Sequence, residues 1–220
     1  PTMFIAELRH PEFTQFDLRS LRTGVMAGAP CPIEVMKQVV SDMHCREMLI
    51  VYGLTETAPV LTMSAVDDDL AHRVSTVGKA LPCTELKVVD VESRQTVERG
   101  TQGEICARGY MLMQGYDGEP EATASVIDSE GWFRTGDLGV MREDGYINIT
   151  GRAKDMIIRG GENIYPREIE EFLYTHPKIA EVQVTGLPNE RFGEIVLAWI
   201  RLKPGEATTA EDIRAFCDGQ

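Results

Sequence analysis

The chain has 220 residues, of which 43% are hydrophobic and 26% charged, and its net charge is −13. No apolar run reaches the roughly 18 residues that a membrane-spanning helix needs. The acidic balance argues against a nucleic-acid surface, which wants a basic face. It leaves small anionic ligands open, because a few local cations and backbone amides suffice for them.

Phe13, Phe16 and Leu21 are spaced for one face of a helix over residues 12–22. GVMAGAP then gives a short apolar run ending in turn residues. CPIEVMKQVVSDM predicts a helix with Pro32 in its first turn, and EMLIVYG predicts a buried strand. Helix and strand in quick alternation predict the end of a parallel α/β subdomain over residues 1–70, whose ligands collect beyond the carboxyl ends of the strands. VDDDLAHR reads as a polar connector. From residue 71 to 150, ELKVVDV, GEICARG, WFRTG, LGVMRE and YINIT predict short strands of a small antiparallel sheet or barrel, with Asp144-Gly145 as a hairpin signal. After a hinge at 151–155, residues 156–220 predict a mobile α+β lobe. DMIIRG is its first strand, PREIEEFLYTH a helix, and IAEVQVTGL and EIVLAWIRLK two strands. A last helix opens on an S/T-x-x-[DE] start at Thr208 or Thr209.

The five cysteines form no C-x-x-C pair and their number is odd. A disulfide framework or a zinc site is therefore not expected, a reducing compartment is the default, and each thiol reads as a small buried hydrophobe. The four histidines are scattered with no metal-ligand spacing and no Ser-His-Asp order. The chain opens at Pro1 without an initiator methionine and stops at AFCDGQ inside a helix-like stretch. A piece of a longer protein is expected, with any targeting signal outside it.

Several short segments carry candidate chemistry. In YGLTE, Gly53 lets the chain turn after Tyr52 and presents Thr55 and Glu56 on a loop. A hydroxyl beside a carboxylate suits a magnesium–phosphate site, and it equally suits a helix start with Thr55 as N-cap. In FRTGDL, Asp137 suits the hydroxyls of a ribose, or a turn in which it bonds its own backbone. In GRAKD, Arg152 suits ribose or phosphate, and Lys154 and Asp155 suit alternating ion pairs or a plain charged connection. Gly160-Gly161 permits close approach to a ligand or simply a turn.

Taken in order, GAP (28–30), YGLTE (52–56), GEICARGYMLMQGY (103–116), FRTGDL (133–138) and GRAKDMIIRGGENIYPREIE (151–170) resemble the adenylate-forming superfamily of acyl-CoA synthetases, nonribosomal adenylation domains and luciferases. The run AKDMIIRGGENIYP is most similar to fatty acyl-CoA ligases of medium- or long-chain type. The resemblance implies two half-reactions. A carboxylate attacks the α-phosphate of ATP to give an acyl-adenylate and pyrophosphate, and a thiol, usually that of coenzyme A, then displaces AMP. By position it implies that Gly28, Ala29 and Pro30 lie along the adenine and that Tyr52 stacks on it. Thr55 would bind the α-phosphate or acyl carboxylate, and Glu56 would hold Mg2+. Asp137 would grip the ribose with Arg152 beside it, Lys154 would be the hinge residue, and Gly160 and Gly161 would line the pantetheine channel.

Two parts of the family pattern are missing here: the phosphate loop with its lysine, and the lysine near the family's C-terminus. The fragment is therefore expected to be inactive by itself. A carrier-protein-loading adenylation domain and a non-catalytic nucleotide-binding relative stay open. Lys154 favours the ligase, because many carrier-loading relatives have aspartate there. Apolar Gly24–Met26 and Ala58–Val60 suit one side of an acyl pocket for a fatty or aryl acid. The expected partners are a small carboxylic acid, ATP and coenzyme A, with a homodimer left open. The expected compartment is the cytoplasm, or the mitochondrial matrix for a eukaryotic source.

Overall fold

A computed structural model of the chain describes residues 1–29 and 31–218. Contacts divide it into two compact units, Pro1–Thr135 with Gly139–Ile149, and Gly136–Leu138 with Thr150–Gln220.

The first unit starts with α1 (Thr2–Leu8), β1 (Thr23–Met26), α2 (Ile33–Ser41) and β2 (Glu47–Tyr52). The strands β1 and β2 are parallel, with Met26 opposite Ile50. The intervening helix covers their face: Met36 and Val39, three positions apart, are fully buried with Met26, Met48 and Ile50. Methionines fill much of this core, and their unbranched chains suit an irregular gap between helix and sheet. Then come β3 (Thr62–Met63), α3 (Leu70–Ser75) and β4 (Lys79–Ala80), giving a four-stranded sheet in the order β1-β2-β3-β4. The last two pairings in that sheet are antiparallel. A second four-stranded sheet runs β5 (Thr84–Val89), β6 (Gln102–Gly109), β7 (Phe133–Met141) and β8 (Ile147–Arg152), in sequential order, with α4 (Pro120–Val126) inserted before β7.

Several local expectations fail. Residues 12–22 form no α-helix; only a 3-10 turn at Phe13–Gln15 appears, and Phe16 is 63% exposed. A carboxylate turn takes over, in which Asp17 accepts from both the backbone and the guanidinium of Arg19. The polar connector contains α3, whose Asp69 caps the helix by accepting from the His72 amide. WFRTG and LGVMRE are one strand, because Gly136 departs from the extended path for a single residue (φ +72°) and the strand continues.

The second unit carries β9 (Ile157–Arg159), β10 (Glu162–Ile164), α5 (Pro166–Tyr174), β11 (Ile179–Asn189), β12 (Gly193–Leu202) and α6 (Ala210–Cys217). Its sheet order is β10-β9-β12-β11, and the long hairpin β11–β12 is its spine. Ile157, Leu173, Ile179, Val182 and Val184 form the core, and Ile213 and Phe216 of α6 pack onto it. Of the two candidate starts for α6, Thr209 is the one used: its hydroxyl accepts from the Asp212 amide, and the Asp212 carboxylate accepts from the Thr209 amide. The observed architecture is mixed α/β and α+β.

Candidate functional site

In the first unit, the candidate residues gather at one edge because β1 and β2 run parallel. Both strands end there, β1 leading into Gly28 and Ala29, and β2 ending at Tyr52 and leading into Gly53, Thr55 and Glu56. Pro30 lies outside the described residues. Tyr52 is half-buried against the cluster of Leu61, Ala107 and Met111. Gly53 is required by close approach of backbone to backbone: a Cβ there would sit 2.0 Å from the Pro59 carbonyl oxygen. The loop thus folds back on itself over the Ala58–Pro59 bond, which is cis.

Within that loop, residues 55–57 make one 3-10 turn. The expected alternative, with Thr55 as cap, does not hold. Buried Thr57 is the capping hydroxyl, accepting from the Leu54 amide and donating to the Leu54 carbonyl, each at 2.9 Å. Thr55 is exposed, and its hydroxyl has no hydrogen-bond partner among the described residues. Glu56 is half-buried. Its Oε1 accepts from the Tyr116 hydroxyl at 2.8 Å and its carbonyl accepts from the Met113 amide at 2.8 Å. Among the described residues, no lysine or arginine forms an ion pair with Glu56. The neighbouring carboxylate pushes the Tyr116 phenol above its ordinary pKa, chiefly through their hydrogen bond.

This arrangement fits a magnesium ion that arrives with a polyphosphate. Mg2+ takes oxygen ligands, keeps several waters, and needs only one or two carboxylates beside the phosphate oxygens. Glu56 supplies one carboxylate with a single oxygen committed to a phenol. A self-sufficient metal cage is a different matter: no cluster of three or more His, Cys, Asp or Glu that would hold an ion occurs among the described residues.

In the second unit, Asp137 lies in β7 and Arg152 at the end of β8. The guanidinium Nε of Arg152 donates to Asp137 Oδ1 at 3.0 Å; the aspartate side chain is 7% exposed and the arginine 54%. The turn reading of Asp137 fails, since it is a buried residue within a strand. Lys154 is exposed in a 3-10 turn at Ala153–Asp155, and neither it nor Asp155 is ion-paired among the described residues. Gly160 and Gly161 form the two-residue turn of the β9–β10 hairpin, where Arg159 faces Glu162. Both have positive φ (62° and 91°), as a hairpin turn of this twist demands. Met26, expected beside an acyl chain, is instead 1% exposed in the core.

Two residues escaped sequence reasoning. Tyr116 acts on Glu56 from 60 positions away, and only its place at the end of GEICARGYMLMQGY marked it. Thr57 was hidden by Thr55, two positions earlier with the same hydroxyl.

YngI of Bacillus subtilis (strain 168) is 55% identical over the whole chain, which covers 40% of that protein. The mitochondrial medium-chain acyl-CoA ligase ACSF2 of Bos taurus is 46% identical over the whole chain, which covers 36% of it. The chain therefore spans well under half the length of these relatives. Among solved structures, ATP-bound MatB from Rhodopseudomonas palustris superposes with a TM-score of 0.89 at 34% identity, covering 100% of this chain and 43% of that one. o-Succinylbenzoate CoA synthetase (MenE) from Bacillus subtilis, in complex with its acyl-adenylate intermediate OSB-AMP, superposes with a TM-score of 0.79 at 28% identity, covering 98% of this chain and 42% of that one. The AMP-binding enzyme model matches residues 1–117 and the model of the AMP-binding enzyme C-terminal domain matches residues 168–220, so the chain belongs to the AMP-binding enzyme family.

Proposed function

We propose that the protein of which this chain is part is an AMP-forming acid–thiol ligase that activates a medium-chain fatty acid and transfers it to coenzyme A. The observation that carries this reading is Glu56: a carboxylate at the carboxyl edge of a parallel strand pair, held by a neutral phenol and paired with no cation among the described residues. The relatives' name as medium-chain acyl-CoA ligases supports the acid class.

In the first half-reaction the fatty carboxylate oxygen attacks the α-phosphorus of ATP, and the bond to the bridging oxygen breaks, releasing pyrophosphate. Charge builds on the phosphate oxygens. Glu56 would hold a magnesium ion brought in with the nucleotide, which would supply the neutralising charge, and the Thr55 hydroxyl donates to an α-phosphate or acyl oxygen. Gly28, Ala29, Pro30 and Tyr52 flank the adenine, with Gly53 shaping the loop. Asp137 accepts from the ribose hydroxyls and the half-exposed Arg152 donates beside it. In the second half-reaction the thiol sulfur of coenzyme A, losing its proton to solvent, attacks the acyl carbon; the bond from that carbon to the phosphate oxygen breaks and AMP leaves with the electron pair. Residues 151–155 act as the hinge between a body and the lobe 156–220, Lys154 being the residue that turns, and Gly160 and Gly161 line the pantetheine path. The expected compartment is the cytoplasm, or the mitochondrion for which the ACSF2 relatives are named.

The test uses the full-length enzyme. ATP–pyrophosphate exchange and thioester formation are measured against straight-chain acids of increasing length, with coenzyme A or a carrier protein as acceptor. The expected outcome is a maximum at medium length with coenzyme A. Exchange with amino acids only, or transfer only to the carrier, would overturn the reading.

A further inference from the structure

We propose that Tyr116 is a positioning residue for the nucleotide-bound metal: its hydroxyl fixes the orientation of Glu56 and so sets how much Mg2+ the adenylation step requires. This rests on the reading of Glu56 as the carboxylate that holds the ion. The hydroxyl donates to Glu56 Oε1 at 2.8 Å. The Tyr116 backbone is itself anchored, because its amide donates to Thr123 Oγ1 at 2.9 Å and that hydroxyl donates to the Glu119 carbonyl at 3.0 Å. Three positions before Tyr116, the Met113 amide donates to the Glu56 carbonyl at 2.8 Å. The segment 113–116 therefore grips Glu56 at both main chain and side chain, and α4 braces the segment.

The chemistry of the donor matters. A lysine or arginine at this position would cancel the carboxylate charge and compete with a cation for it. A phenol removes rotamer freedom while leaving the charge in place. It commits one oxygen, and Oε2 has no hydrogen bond among the described residues.

The experiment compares the full-length enzyme with Tyr116→Phe, Glu56→Gln and the double variant. Initial rates of ATP–pyrophosphate exchange are measured against free Mg2+ and, separately, against the fatty acid. Tyr116→Phe is expected to raise the half-saturating Mg2+ concentration about tenfold, the size of one lost hydrogen bond to a charged group. The acid KM and the melting temperature should be unchanged. Glu56→Gln should raise the Mg2+ requirement further, and the double variant should be no worse than Glu56→Gln alone. If Glu56→Gln raises the requirement and Tyr116→Phe does not, the positioning role is wrong and the metal role of Glu56 survives. If Glu56→Gln leaves the requirement unchanged, the underlying reading is wrong. If Tyr116→Phe lowers the melting temperature and raises both the Mg2+ requirement and the acid KM, the hydroxyl is merely structural and the proposal is overturned.

Discussion

Glu104 and Glu56 belong to the same unit and meet opposite surroundings. Glu104, in β6, is 3% exposed, and its Oε2 takes the guanidinium groups of Arg94 at 2.7 Å and Arg134 at 3.0 Å. Glu56 is half-buried and is held by a neutral hydroxyl. A charge that is buried must be neutralised where it stands. Once neutralised twice, it has little left to offer a ligand. The carboxylate kept near solvent and held without a countercharge is the one able to receive a cation. Burial alone would have pointed to Glu104.

The comparison can be broken from the buried side. Glu104→Gln leaves two guanidinium groups facing an amide, and both are partly exposed, so water recovers some of the loss. A destabilisation of about 3 kcal/mol is expected by urea unfolding, at the low end for a broken buried pair. Glu56→Gln should change the same unfolding curve by less than about 0.5 kcal/mol, as for a surface substitution. Equal losses would erase the distinction. Arg134→Ala should cost about 1 kcal/mol, because Arg94 remains and the removed partner is half-exposed; a cost as large as that of Glu104→Gln would show that the two arginines act as one unit.

The smallest effect sharpens the role of phenols. Tyr146 donates its hydroxyl to Asp68, and this hydrogen bond, followed by burial and then the charge of Asp68, pushes the phenol up to about 12. A raised folded-state pKa means that the folded form holds the proton longer. The contribution is complete below pH 10, the unfolded value, and is lost as pH rises towards about 12. Chemical denaturation between pH 9 and 12 should show this alkaline loss, and Tyr146→Phe should flatten that part of the profile. An unchanged slope in the variant would assign the loss to other groups.

Much of the fold was legible where burial imposes a period. EMLIVYG, the helix PREIEEFLYTH and the alternation of β11 announced themselves because each has one core to meet. The first helical reading failed at Phe13, Phe16 and Leu21, where apolar spacing suggested a face but Phe16 meets no core. Local capping was readable and underused: Asp69 before α3 and Pro120 at the start of α4 are ordinary helix beginnings inside polar stretches. At the candidate site, the edge formed by Gly28, Tyr52 and Glu56 was legible because parallel strands share a carboxyl end. The hydroxyl that holds Glu56 was not, since contact across 60 positions leaves no local trace.

The loop after β2 keeps its own shape. The clasp between Thr57 and Leu54, and the tight seat of Gly53 under Pro59, involve neither the Thr55 hydroxyl nor the Glu56 carboxylate. Shape and exposed side-chain chemistry are thus carried by different atoms of one short peptide. The side chains at positions 55 and 56 can be exchanged while the path of the chain endures, because other atoms close the turn.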